Sequence, residues 1–115
     1  MVKDNPLVSV ILTTKNEERN IGKFLQSIKK QIYKSIEIIV VDNKSSDKTK
    51  EIAKQFTSRV YDFGPERSAQ RNYGAEKSKG KYLVFLDSDM ELSLKVIKDC
   101  VGVVKKINVK VLTIP

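Results

Sequence analysis

Two aspartates separated by one serine, Asp87-Ser88-Asp89, follow directly on the apolar run Tyr82 to Leu86. Aspartate is a poor strand residue, and two like charges this close repel, so a cation is their natural compensator. A turn followed by a helix cap would use the same residue types. The preceding buried strand favours a metal or ligand site, because the ends of such strands face ligands. Asp42 closes a second apolar run, Ile36 to Val41. Its acceptor-only carboxylate suits a donor on a base or ribose, although shaping the turn with Asn43, Ser45 and Ser46 is its simplest role. Arg67 and Arg71 lie four apart, on one helical face and within reach of a common anion. Pairing with Glu66 or Glu76 is the alternative. Thr13, Thr14 and Glu17 end the first apolar run; taken singly, they do no more than end a strand and favour a helix N-terminus.

The chain contains no histidine. Imidazole bases and imidazole metal ligands within it are therefore excluded, and metal binding falls to carboxylates, which favour Mg2+ or Mn2+. Glu91 sits beside the acidic motif and borders the expected metal site. No convincing catalytic base precedes residue 115.

The elements that must position these groups follow from hydrophobic periodicity. Leu7 to Thr13 and Ile36 to Val41 have the continuous apolar, β-branched character of strands buried on both faces. Ile21, Phe24, Leu25, Ile28 and Ile32 recur at helical spacing between them. Ser45 and Ser46 offer N-caps for a helix carrying Ile52, Ala53 and Phe56. A short third strand is expected over residues 59–62. Gly64-Pro65 then punctuates the chain before a helix over 66–77. Tyr82 to Leu86 is the fourth strand. A helix near 93–106, with Val96, Ile97, Cys100, Val101 and Val104 inward, and a strand over 109–114 complete the series.

Strands alternating with helices imply right-handed crossovers and a mainly parallel, Rossmann-like sheet. With the fourth strand returning beside the first, the order is about 3-2-1-4. The reversal between strands one and four is a topological switch point, where ligands bind at strand carboxyl ends. Thr13 to Glu17, Asp42 and Asp87 to Asp89 all fall along that edge.

Length and composition fit this picture. The chain has 115 residues, 40% hydrophobic and 31% charged, which suits a single soluble globular domain over residues 1–115. No apolar run approaches a membrane span, and Met1 to Asn5 lacks a signal peptide's apolar region. A single cysteine, Cys100, cannot form an internal disulfide; a reducing interior and core packing are expected. The net charge of +8, from 22 Lys and Arg against 14 Asp and Glu, is dispersed over solvated helix faces. No basic-aromatic cluster points to nucleic acid, and no G-x-G-x-x-G follows the first strand, which disfavours a dehydrogenase.

In order and spacing, VSVILTTKNEERNIGKFLQSI, IEIIVVDNKSSDKT and ERSAQRNYGAEKSKGKYLVFLDSDMEL resemble the family 2 glycosyltransferases. The resemblance covers Val8 to about Ile97 and implies the nucleotide-binding half of a GT-A fold. It further implies that Thr13, Thr14, Asn16 and Glu17 line a nucleotide pocket, and that Asp42 contacts the base, usually uracil. Arg71 would lie near the nucleotide, together with Arg67. Asp87 and Ser88 would contact the donor, Asp87 touching ribose or metal, and Asp89 would ligate the metal through the diphosphate. Family members often carry proline and an aromatic residue where this chain has Thr13, Thr14 and Lys15. The family's acceptor site, and in many members its base, lie beyond the position matching Pro115, so the chain is expected to be a donor-binding portion of a longer enzyme.

The chemistry so implied is metal-dependent, inverting transfer of a sugar from a nucleoside-diphosphate sugar, a UDP-sugar ahead of a GDP-sugar. The metal would act as Lewis acid and template. The acceptor is an unspecified sugar, lipid or protein, and the setting is cytoplasmic, including the inner face of a membrane for a longer membrane-associated protein. Two alternatives stand beside this. A nucleotide-binding module would bind without turnover. A haloacid-dehalogenase-like phosphatase also uses DxD after a strand, but there the motif ends the first strand.

Overall fold

The computed structural model describes residues 5–88, 92–107 and 111–113. Chain order is β1 (Val8–Thr14), α1 (Ile21–Lys29), β2 (Ile36–Asp42), α2 (Thr49–Ala53), β3 (Val60–Asp62), α3 (Arg67–Lys77), β4 (Tyr82–Asp87), α4 (Val96–Ile107) and β5 (Val111–Thr113). Among the described residues the strands form one sheet in the order β3-β2-β1-β4-β5, and every strand pair in it is parallel. The expected 3-2-1-4 core is present, and β5 extends it by one strand beyond β4.

All seven residues of β1 are buried, because this central strand has neighbours on both edges and helices over both faces. Its side chains alternate with the period of two that any strand imposes. Val8, Val10 and Leu12 join Ile38, Val40, Val84 and Leu86 in the larger core, which Ile21, Phe24, Leu25 and Ile28 of α1 and Ile97, Val101 and Val104 of α4 complete. Ile11 points the other way, into a smaller cluster with Ile39, Val41, Tyr61, Tyr73, Leu83 and Phe85 under α3. Each fully buried Ile or Leu contributes about 2 kcal/mol of transfer free energy.

Helix α3 lies unusually close to the sheet. A Cβ on Gly74 would come 2.5 Å from Ile11 Cγ2 and 3.2 Å from Val41 Cγ2. Only a residue without a side chain permits that approach, and it sets the start of α3 over the carboxyl ends of β1 and β4.

Three local expectations are corrected. Ile32 does not continue the apolar stripe of α1: the helix ends at Lys29, the helical period is lost, and Ile32 is 48% exposed. Neither Ser45 nor Ser46 caps the next helix. It begins at Thr49 with Lys48 at the N-cap and no side-chain cap, because Ser45 is drawn back onto Asp42. The last helix begins at Val96 rather than near Ser93. Fully buried Gln31 fixes that start: its Nε2 donates to Ser93 O at 2.6 Å, and its Oε1 accepts from Ile97 N at 3.2 Å. Cys100 is half-buried on α4, and burial pushes its thiol pKa up, as suits packing rather than reactivity.

At the amino ends of the strands, on the face under α3, a polar cluster closes on itself. Fully buried Ser9 donates from Oγ to Glu37 Oε2 at 2.5 Å, Lys79 N donates to the same oxygen at 2.6 Å, and Gly80 N donates to Ser9 Oγ at 2.8 Å. Arg59 approaches Glu37 Oε1 at 3.3 Å.

Candidate functional site

Strand register decides which polar residues meet. Thr13 of β1 pairs with Asp87 of β4, and Thr14 pairs with Asp42 of β2. In a parallel sheet, residues in register share a face, and consecutive residues take opposite faces. Thr13 and Asp87 therefore stand on the α3 side, while Thr14 and Asp42 stand on the α1 and α2 side. The two aspartates flank the same strand end from opposite faces of the sheet.

On the α3 side a cleft of about 150 Å³ opens at the strand ends. Thr13, Thr14, Lys15 and Glu17 at the end of β1 and in the loop after it, Asp87 and Ser88 at the end of β4, and Arg67 and Gln70 of α3 line it. Thr13 is 7% exposed, yet its Oγ1 has no hydrogen-bond partner among the described residues. A buried hydroxyl in that state costs about 1–3 kcal/mol until something bonds to it. Arg67 Nη1 stands 3.8 Å from Asp87 Oδ2, with the arginine side chain 65% exposed and the aspartate 34%. At that distance and exposure the pair is weak and easily exchanged for another partner.

Asp42 is fully buried and accepts three hydrogen bonds: Thr14 Oγ1 at 2.7 Å and Ser45 Oγ at 2.6 Å on Oδ1, and Ser45 N at 2.7 Å on Oδ2. It does not line the cleft, and its turn-shaping role is plain. Asn16 adopts a left-handed backbone, φ 52°, which asparagine tolerates better than most residues. Its Oδ1 accepts from Ser46 N at 2.9 Å, while its own N–H donates to Ser45 Oγ at 2.8 Å. Glu17 N donates to Thr49 Oγ1 at 2.8 Å, and Lys48 N donates to Glu18 Oε1 at 2.9 Å. The loops after β1 and β2 are thus laced together, and Asn16 supports the cleft from outside.

Arg71 does not reach the cleft either. Its guanidinium lies 6.0 Å from the centroid of Phe85. One helical turn back along α3 is about 5.4 Å, and two residues back along β4 are about 6.6 Å. The step from Arg67 to Arg71 therefore matches the step from Asp87 to Phe85, and the two arginines do not share an anion here. Asp89, the second carboxylate of the motif, lies outside the described residues, as does Glu91.

Six of the expected site residues thus line one cleft: Thr13, Thr14, Glu17, Arg67, Asp87 and Ser88. Gln70 is not among the residues expected at the site from sequence, yet it lines the cleft. It is 4% exposed, and its Nε2 donates to Val41 O at 2.9 Å and Thr14 O at 3.3 Å, tying β1 to β2 where their mutual ladder ends. A glutamine inside an otherwise polar helix gives no sequence signal; its position three residues after Arg67, toward the sheet, was the available hint. Lys15 also lines the cleft, as an exposed cation at its mouth.

A parallel sheet with this order, carrying carboxylates at its switch point, is the architecture of a nucleotide-binding GT-A domain. The family model for glycosyl transferase family 2 matches residues 9–113, and the chain belongs to that family. It is 42% identical over 98 residues to the glycosyltransferase AglE of Haloferax volcanii, covering 77% of this chain and 32% of that protein. Among solved structures, S. aureus TarS 1-349 in complex with UDP-GlcNAc superposes with a TM-score of 0.75 at 28% identity, covering 87% of this chain and 31% of that one. Glucosyl-3-phosphoglycerate synthase from Mycobacterium tuberculosis, in complex with Mn2+, UDP and glucosyl-3-phosphoglycerate, gives 0.73 at 26% identity, covering 84% and 39%. The chain thus spans about a third of the length of these proteins. Family membership sets aside the phosphatase alternative, whose acidic motif ends a first strand and not a fourth.

Proposed function

We propose that the cleft at the ends of β1 and β4 binds the nucleoside diphosphate of a sugar donor, and that the whole protein transfers the sugar to an acceptor with inversion. The observation that carries this reading is the pairing of Thr13 with Asp87: a buried, unpartnered hydroxyl in register with a part-exposed carboxylate at a topological switch point. Ligands bound to similar proteins, UDP-GlcNAc in one and UDP with Mn2+ in another, support the same chemistry.

The residues present fit a hard divalent ion. The cleft offers oxygen donors from Asp87, Glu17 and Ser88 and no sulfur or imidazole. Among the described residues no three His, Cys, Asp or Glu side chains gather as a ligand set. Asp87 and Asp89 would hold Mg2+ or Mn2+, which need only one or two protein carboxylates. Such an ion, when bound, supplies positive charge to the departing diphosphate. Arg67 adds a second positive charge beside it, and its loose contact with Asp87 leaves it available to a phosphate oxygen. Thr13 orients a bound donor by hydrogen bonding. Asp42 acts from behind by fixing Thr14.

Calorimetric titration with UDP-GlcNAc and GDP-mannose, with and without Mn2+, tests the proposal. Metal-dependent binding that weakens about tenfold or more in Asp87→Asn is expected, with the uridine donor preferred. Absence of metal-dependent binding by the folded protein overturns it. A module without turnover would bind equally well but release no free UDP from the full-length protein in the presence of acceptor.

A further inference from the structure

We infer that Gln70 is a specificity-determining residue of this cleft, presenting a fixed, neutral hydrogen-bond acceptor to the nucleoside part of the donor. A carboxamide carries two N–H donors on nitrogen and only acceptor capacity on oxygen. Both contacts recorded for the buried end of this side chain go to carbonyl oxygens, Val41 O at 2.9 Å and Thr14 O at 3.3 Å. A carbonyl can only accept, so the atom between the two strands must be Nε2 and the amide cannot flip. Its two protons are then both committed, and Oε1 is left as the polar atom on the side that lines the cleft. Both hydrogen bonds of this side chain use Nε2, and Oε1 is not one of the fully buried unpartnered atoms, so in a residue 4% exposed it is the end open to the cleft.

An acceptor held this way selects for chemistry. It rewards a ligand donor, O–H or N–H, and penalises an acceptor at the same place. Unlike Asp87 or Glu17, it does so without charge, so it discriminates without attracting the metal. The adjoining Thr13 hydroxyl, also buried and unpartnered, can both donate and accept. Together the two fit a nucleoside group that donates to Gln70 and pairs with Thr13: a ribose hydroxyl or the imide N–H of uracil. This inference rests on the nucleotide-sugar reading of the cleft and adds to it the residue that reads the nucleoside.

The experiment uses ligand analogues so that folding and recognition are separated. UDP, 2′-deoxy-UDP and N3-methyl-UDP are titrated with Mn2+ into the wild-type protein and Gln70→Met. In the wild type, one of the two analogues should bind about tenfold more weakly than UDP, which identifies ribose or base as the donor. In Gln70→Met that gap should close, because the acceptor is gone for every ligand. Wild-type protein that binds all three ligands equally overturns the inference while leaving the nucleotide reading intact, and it does so even where Gln70→Met fails to fold. A variant that keeps the full gap overturns it as well. Failure of UDP to bind at all removes the nucleotide reading and the inference with it.

Discussion

The sheet carries a part-buried polar cluster at each end of the face beneath α3, and the two clusters are built differently. At the amino end, Ser9, Glu37 and the N–H groups of Lys79 and Gly80 satisfy one another at 2.5–2.8 Å, with Arg59 close by, its buried Nε without a partner among the described residues. At the carboxyl end, Thr13 Oγ1 has no partner among the described residues and the ion pair there, Arg67 with Asp87, stands at 3.8 Å. Strand β1 runs between the two, contributing Ser9 to one and Thr13 to the other. A carboxylate bonded inward, as Glu37 is, contributes to the fold, whereas a buried hydroxyl left unmet beside an open cleft is poised for a ligand. The difference separates structural from functional polar groups more sharply than residue type, since both ends use Ser or Thr beside a carboxylate.

The largest effect expected from breaking this contrast is at the closed end. Glu37→Ala strips the Ser9 hydroxyl and the Lys79 N–H of their acceptor and should cost about 2 kcal/mol in urea denaturation, without changing nucleotide affinity per folded molecule. Next comes Asp87→Asn, which should lower metal-dependent UDP affinity about tenfold or more while leaving the denaturation midpoint nearly unchanged.

A smaller effect appears with pH. Burial alone would raise the Glu37 pKa, but hydrogen bonds from Ser9, Lys79 and Gly80 and the Arg59 charge outweigh it and hold it below its ordinary value of 4.5. A carboxylate depressed in the native state contributes stability that is present above the unfolded pKa and lost as pH falls through the native one. Stability should therefore fall below about pH 4.5, and Glu37→Gln should flatten that part of the curve measured by thermal melts. No loss of stability is expected from Thr13→Val. Removing a buried hydroxyl that has no partner among the described residues should raise stability by about 1 kcal/mol, yet weaken UDP binding. A Thr13→Val loss comparable to that of Glu37→Ala would erase the distinction between the two ends.

Much of this architecture is legible in the sequence, for physical reasons. Leu7 to Thr13, Ile36 to Val41 and Tyr82 to Leu86 announce buried parallel strands because a sheet covered on both faces needs apolar residues at nearly every position. The order of the first four strands follows once the fourth is taken to return beside the first, and it locates the cleft. What the sequence does not carry is register. Asp42 and Asp87 each end a strand and look equivalent, but pairing Asp42 with Thr14 and Asp87 with Thr13 sends them to opposite faces. Arg67 and Arg71 look equivalent too, until the helix is laid along β4 and Phe85 takes the second. Gln70 is silent in sequence because its role depends on two carbonyls brought together only by the sheet. Ile32 misleads because periodicity does not mark where α1 stops.

The most direct test of the central claim is to map amide chemical shifts of the protein on addition of UDP with Mg2+, the diamagnetic counterpart of Mn2+. Shifts should concentrate at Thr13 to Glu17, Arg67, Gln70, Asp87 and Ser88, with Ser9, Glu37, Lys79 and Gly80 unmoved. Perturbation centred on the amino-end cluster, or no saturable shift at the carboxyl end, would contradict the account.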